Sequence, residues 1–339
     1  GNKIYTYSGA GRYDVAQMIV NSKLDALQGG QRHNGVIVAS GEEGKFADAL
    51  SASGLAGMLD YPLVLTNGSA GALSSQARNA IAAIAGAGKL DVIIIGGEGT
   101  ISPDAASELA GYDSDGSPVR LGGPDRYAVG VTIFNYGVQS GGWQSDTAFV
   151  ARGDNFPDAL AVASYAASHK SPIVLVDPNA TQLETPASQI LAQYGKVVVL
   201  GGTASVKPAL YQEIEGLIGA ANVRRLDGAT RYEAGMSIVR WQLEQGISLN
   251  GVGFATGMRF PDALASGFLL AHTNSALILL SPEDGDNAAA YQLLGMHGST
   301  INQIRIFGGE NSVTPSSRTY ITNALGWSEG SYGTVPGRQ

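Results

Sequence analysis

At 339 residues, 44% of them apolar and only 15% charged, the chain is too apolar for a disordered segment and long enough for two or three cores. Its 21 basic and 29 acidic side chains leave a net charge of −8, the reverse of a nucleic-acid-binding footprint, and the absence of cysteine excludes disulfides, thiol chemistry and thiolate-bound metal. No apolar run approaches the roughly 18 residues of a membrane span, so none is expected.

A short strand over residues 4–7 leads into Arg12-Tyr13, and the same arrangement recurs at 119–121 before Arg126-Tyr127 and at 223–226 before Arg231-Tyr232. Asp125 and Thr230 sit where helix N-caps belong, with Glu233 completing a capping box, so the Arg-Tyr pair opens a helix. Tyr127, Val131 and Phe134 give that helix one apolar stripe, matched by Tyr232, Met236 and Val239. In the second copy a strand at 148–151 precedes a helix whose first turn holds Pro157 and Asp158. A third strand at 173–176, a helix through 187–193 and an uninterrupted apolar strand at 197–200 follow, the last closing on Gly201-Gly202.

Three landmarks therefore recur in fixed order, with a period of about 105 residues. The first is Gly-x-x-Arg-Tyr, starting at Gly9, Gly123 and Gly228. The second is Phe-x-Asp-Ala-Leu, starting at Phe46, Phe156 and Phe260, with Pro157 and Pro261 replaced by Ala47 in the first copy. The third is an apolar run closing on Gly96-Gly97, Gly201-Gly202 and Gly308-Gly309, followed by Pro103, Pro208 and Pro315. So long a period gives each copy its own core. The expected organisation is three modules at 1–117, 118–222 and 223–330, with 331–339 as a tail or linker. Each reads strand-helix four times, a small mostly parallel, doubly wound sheet with helices on both faces.

The strand ahead of each Arg-Tyr either belongs only to the module it precedes or also contacts the module before it. In the second case residues 4–7 would return to the third module and close a ring.

The Gly-Gly turn leads to a helix N-terminus, where backbone N–H groups favour an anion, so Gly97, Gly202 and Gly309 are candidate binding residues, with Lys207 as an added cation in one copy. Two glycines that merely permit positive φ are the plainer alternative. Arg12, Arg126 and Arg231 sit at a helix start, which disfavours a cation, so each either ties to Asp48, Asp158 or Asp262 or faces a ligand. His33, His169, His272 and His297 do not align across the copies and join no repeated serine or carboxylate, so no catalytic residue is expected. No acidic set at the strand ends suits magnesium, Asp113 with Asp115 and Asp284 with Asp286 read as loop residues, and neither metal nor cofactor is expected.

Taken together, Gly-x-x-Arg-Tyr, the run from Asp154 and Asn155 through Asp158 to Leu160, and the Gly-Gly turn in triplicate resemble the cell wall binding repeat 2 family of Gram-positive bacteria over nearly the whole chain. The resemblance implies Rossmann-like or toprim-like modules packed with pseudo-threefold symmetry, located extracellularly at the cell wall. It implies non-covalent anchoring of a secreted surface protein, often S-layer associated, to an anionic, teichoic-acid-like glycopolymer, whether or not that polymer is linked to peptidoglycan. Asp154 and Asn155 join the candidate binding residues on this ground, and the effector domain is expected outside this fragment. The family's Pro-Ile-Leu-Leu stretch reads here as residues 62–65, 172–175 and 276–279, which by periodicity are buried strands important for folding. A hydrolase acting on the wall, or a structural spacer without polymer affinity, are the alternatives. Repetition favours binding, because three equivalent sites serve avidity and a catalytic site needs one set of residues.

Overall fold

The computed structural model describes residues 1–25 and 32–337. The first repeat runs β1 (Asn2–Tyr7), α1 (Arg12–Asp25), β2 (Gly35–Ser40), α2 (Phe46–Ser51), α3 (Ser53–Leu59), β3 (Leu63–Thr66), α4 (Ser75–Ala85), β4 (Asp91–Ile95) and α5 (Pro103–Ala110). The second runs β5 (Val119–Leu121), α6 (Arg126–Gln139), β6 (Thr147–Arg152), α7 (Pro157–His169), β7 (Ile173–Val176), α8 (Thr185–Leu191), β8 (Lys196–Leu200) and α9 (Pro208–Ile218). The third runs β9 (Val223–Leu226), α10 (Arg231–Glu244), β10 (Gly251–Thr256), α11 (Ser266–His272), β11 (Ser275–Leu280), α12 (Ala288–His297), β12 (Gln303–Phe307), α13 (Pro315–Ala324) and β13 (Tyr332–Pro336).

Three parallel sheets result, ordered β3-β2-β4-β5, β7-β6-β8-β9 and β11-β10-β12-β1-β13. Each sheet draws its strand beside the Gly-Gly turn from the next repeat: β5 pairs with β4, β9 with β8, and β1 with β12. Of the two readings of the strand before Arg-Tyr, the shared one therefore holds, and the N-terminus closes the ring. Burial explains why. Ile4 packs with Ile304, Ile306 and Met236 in the outer core of the third sheet, while Tyr7 joins the central core and lies 5.0 Å from the Phe307 ring. The three junctions have the same backbone bond: the first glycine of each turn donates to the last residue of the borrowed strand, Gly96 to Leu121, Gly201 to Leu226 and Gly308 to Tyr7, all at 2.8 Å.

Residues 332–336 of the expected tail form β13, which adds to the outer edge of β1 in parallel register. This covers a strand edge that would otherwise expose unpaired N–H and C=O groups.

The caps fall where the residue types placed them. Asp125 accepts from Ala128 N–H at 2.8 Å and Thr230 from Glu233 N–H at 3.2 Å, while Glu233 reaches back to Ala229 N–H. Asp113 accepts from the N–H groups of Val92, Asp115 and Ser117, and Asp284 from the hydroxyls of Tyr291, Ser316 and Ser317, so both are loop ties. The family's Pro-Ile-Leu-Leu stretches fall on β3, β7 and β11, every residue of which is buried.

Each sheet has a separate outer core, and one central core joins all three through α2, α3, α7 and α11. Close approach there depends on Gly57 of α3, where a Cβ would lie 1.8 Å from the Ala167 carbonyl oxygen of α7. At the third seam His272 Nε2 meets the Asp60 carboxylate at 2.9 Å, joining α11 to the end of α3.

Deleting residues 1–7 removes a strand from the third sheet and the edge support of β13. Hydrogen–deuterium exchange should then rise over 303–307 and 251–256 as strongly as around Arg12. Loosening confined to α1 would contradict closure through β1.

Candidate functional site

The repeated residues meet where neighbouring modules meet. Phe46, Phe156 and Phe260 form a triangle, with ring centroids 6.3, 5.3 and 5.9 Å apart. Each is covered by the arginine of the next module: Arg126 lies over Phe46 at 5.4 Å, Arg231 over Phe156 at 5.7 Å and Arg12 over Phe260 at 5.4 Å. A guanidinium held over an aromatic face gains roughly 0.5–2 kcal/mol. That contact, together with a backbone acceptor, holds a cation at a helix start that the macrodipole disfavours.

The acceptor is a glycine carbonyl within the arginine's own module. Arg12 Nη1 donates to Gly41 O at 2.7 Å, Arg231 Nη1 to Gly257 O at 2.7 Å, and Arg126 Nη1 to Gly153 O. The tyrosine beside each arginine packs on that same glycine. A Cβ at Gly41, Gly153 or Gly257 would lie 2.9, 2.6 or 2.5 Å from the ring of Tyr13, Tyr127 or Tyr232. This glycine, recurring shortly before each motif phenylalanine, is a site residue that the sequence analysis missed. Its signal was present, but obscured by the two extra residues before Phe46.

Asp48, Asp158 and Asp262 form no ion pair with any arginine among the described residues. They point instead under the Gly-Gly turn. A Cβ on Gly96, Gly201 or Gly308 would lie 2.9, 2.7 or 2.6 Å from a carboxylate oxygen of Asp48, Asp158 or Asp262. These first glycines have φ of 100°, 91° and 111°, so they supply both the turn and the space, whereas Gly97, Gly202 and Gly309 do neither. Burial pushes the Asp48 carboxyl up to about 6, against the opposing pull of Arg126 and then Lys45. Burial also raises Asp158, with Arg152 and Arg231 drawing it back. The next module's arginine acts across the seam in both cases, as the first opposing cation on Asp48 (Arg126) and behind the same-module Arg152 on Asp158 (Arg231).

Between the first and second modules these groups line a cleft of about 160 Å³, which includes Lys45, Asp48, Gly97, Thr100 and Arg126. The three seams differ around this frame. At the seam between the third and first modules, Arg12 Nη2 is paired with Glu43 at 2.7 Å. In the second module Asp154 is gripped by Arg152 through two bonds of 2.6 and 2.8 Å, Asn155 accepts from Phe156 N–H, and Lys207 donates to Asn179 O. Those three candidates are thus engaged within their own module, although Asp154, next to Gly153, also lies within the electrostatic reach of Arg126. The helices after the turns are capped by Ser102 and Thr314 in the first and third copies, which satisfies a donor that an anion would otherwise take. An apolar hollow beneath α6, lined by Val131, Phe134, Val174 and Leu183, contains none of the repeated polar residues except Tyr127.

Among the described residues no group of three or more His, Asp or Glu side chains could hold a metal ion, and no helix is long and apolar enough to cross a membrane.

Three modules closed by shared strands, with one arginine, one aspartate beneath a glycine turn and one phenylalanine at every seam, define a ring of binding modules. The chain belongs to the cell wall binding domain 2 (CWB2) family, which matches residues 6–106, 120–211 and 225–318, and is therefore a wall-binding chain of the cell surface. The amidase enhancer of Bacillus subtilis (strain 168) is 29% identical over 284 residues, covering 84% of this chain and 35% of that protein. N-acetylmuramoyl-L-alanine amidase LytC of the same organism is 26% identical over 326 residues, covering 96% of this chain and 58% of that protein. Cwp8 and Cwp6 from Clostridium difficile share the fold, with TM-scores of 0.79 and 0.76 at 18% and 19% identity, over 96% and 98% of this chain and 52% and 49% of theirs.

Arg126→Ala removes a charged hydrogen bond and a cation–π contact, for an expected loss of about 2–3 kcal/mol in denaturant unfolding. Because Asp158 is not its partner, the loss should add to that of Asp158→Ala in the double variant, and exchanging the two charges should restore nothing. Asp48→Asn tests the buried carboxyl. The folded group keeps its proton to about pH 6, whereas an unfolded aspartate releases it near ~3.9, so its contribution is complete below about pH 4 and is lost as pH rises through about 6. The variant should be ~2–3 kcal/mol more stable than the native chain at pH 8 and little changed at pH 4.

Proposed function

We propose that this chain is a non-covalent anchor that binds an anionic, teichoic-acid-like wall polymer through its inter-module clefts. The observation that carries this reading is the arginine set. Each guanidinium is held by a glycine carbonyl and a phenylalanine ring rather than by the motif aspartate, and Arg126 and Arg231, which lack the acidic partner that Glu43 gives Arg12, can meet an anion from outside. Nothing in the repeated set supplies a nucleophile with its base, so the modules hold the wall while chemistry belongs to another domain. The curated relatives support that division. They are named for amidase activity and amidase enhancement, and the chain spans 35% and 58% of their lengths. An effector domain of this kind, joined to the ring in the full protein, is the partner we infer on the protein side.

Three sites on one rigid ring gain affinity together when a polymer spans them, so binding should be steep in module number. With a net charge of −8 the chain as a whole repels a polyanion, and attraction must be local. Raising salt shortens the screening length to about 3 Å at 1 M and should release the polymer. Sedimentation with purified Gram-positive walls, before and after acid stripping of their anionic polymers, across a salt series and with or without chelator, is the test. Retention on stripped walls, or indifference to both salt and chelator, would sink the ionic account. A purely structural spacer would sediment with neither preparation.

A further inference from the structure

We propose that anion capture in the cleft between the first and second modules is proton-coupled, the Asp48 carboxyl taking a proton from solvent and donating a hydrogen bond to a polymer oxygen that Arg126 and Lys45 hold. The proposal deepens the binding reading above and rests on it.

The cleft is the open counterpart of a position that the third module closes internally. There Asp262 accepts from the Ser312 hydroxyl at 3.0 Å. In the first module the equivalent residue is Thr100, whose methyl carbon, not its hydroxyl, lies 2.8 Å from where a Gly96 side chain would begin. Asp48 is thus left without an internal donor: it is 7% exposed, lines a cleft of about 160 Å³, and has no hydrogen bond to its carboxylate among the described residues. Its charged surroundings are Lys45 from the turn before α2, and Arg126 and Asp125 from the start of α6. Arg120 of β5 is committed to the Gly96 carbonyl, and Glu98 of the turn is exposed and does not line the cleft.

Lys45 and Arg126 against the carboxylates of Asp48 and Asp125 leave the cleft no net charge for a polyanion. Protonation of Asp48 changes both the balance and the chemistry of the atom: the cleft gains a net positive charge, and an acceptor becomes a donor. Phosphate or carboxylate oxygens present only acceptors, so the protonated acid matches them and the ionised one opposes them. The carboxyl's raised affinity for protons sets the coupling to act around mildly acid pH.

The experiment measures the affinity of the intact chain for a soluble poly(glycerol phosphate) oligomer between pH 5 and 8 at fixed ionic strength, by calorimetry in two buffers of different ionisation heat. One coupled proton predicts binding that weakens by up to tenfold per pH unit above about pH 6, with net proton uptake on binding at pH 7. Asp48→Asn should flatten the profile and bind at pH 8 about as tightly as the native chain does at pH 5. Binding with no proton uptake, or a variant that keeps the native slope, overturns the coupling and leaves the anchoring role standing. No binding at any pH overturns both.

Discussion

No module of this protein completes its own sheet. The strand beside each Gly-Gly turn belongs to the next repeat, and the ring closes because β1 lies at the start of the chain and is needed at its end. A parallel strand cannot be supplied by a tight hairpin, so a repeat that shares its strand must pack directly on its neighbour. That single constraint ties the first glycine of each turn to the borrowed strand by one backbone hydrogen bond, a few residues ahead of the Arg-Tyr helix. The seams are therefore the most closely determined parts of the molecule, although they are also where binding is proposed.

The same constraint explains how a helix-start arginine is tolerated. Its cost from the macrodipole is offset by a backbone carbonyl from its own module and an aromatic face from the one before. Because the face comes from the neighbour, each arginine reports on correct assembly: separating the first two modules would take the Phe46 face from Arg126 and the Arg126 charge from Asp48 together. The carbonyls of the first glycines follow the same logic with different residues. Arg120 and Arg225 reach Gly96 and Gly201 from the borrowed strands, while β1 offers Thr6 at that register and Arg318 of α13 takes over.

Period, motif order and the four strand-helix units were legible in the sequence because they rest on local chemistry: caps at Asp125 and Thr230, Pro157 at a helix start, and unbroken apolar strands such as 92–95. The partners across the seams were not. Pairing Arg126 with Asp158 is the local reading, since both belong to one repeat, yet the groups that hold Arg126 are the Gly153 and Gly44 carbonyls and the Phe46 ring, the last two from the preceding repeat and visible only in cross-repeat geometry. Nor does spacing distinguish an aspartate that pairs with a cation from one that fills the space beneath a glycine. The stretch 331–339 reads as a tail on its own; β13 forms within it where β1 presents an open edge.

The three seams share a frame and differ at its rim, and packing explains the division. Glycine 41, 153 and 257 each touch a tyrosine and accept from an arginine, which leaves no freedom for a side chain. The residues that follow them, Glu42-Glu43, Asp154-Asn155 and Met258-Arg259, are free of that steric limit, and they differ from seam to seam: Met258, for example, accepts from the Tyr232 hydroxyl. Glu43 occupies Arg12, Asp154 is occupied by Arg152, and Lys45 adds a charge to the cleft that Arg126 lines. Avidity rises with the number of sites that can be engaged at once, so under the proposed binding reading an acidic residue already seated on one arginine lowers the effective valence without altering the fold. Triplication thus builds the ring, while the few rim residues set the charge that each of its three seams presents.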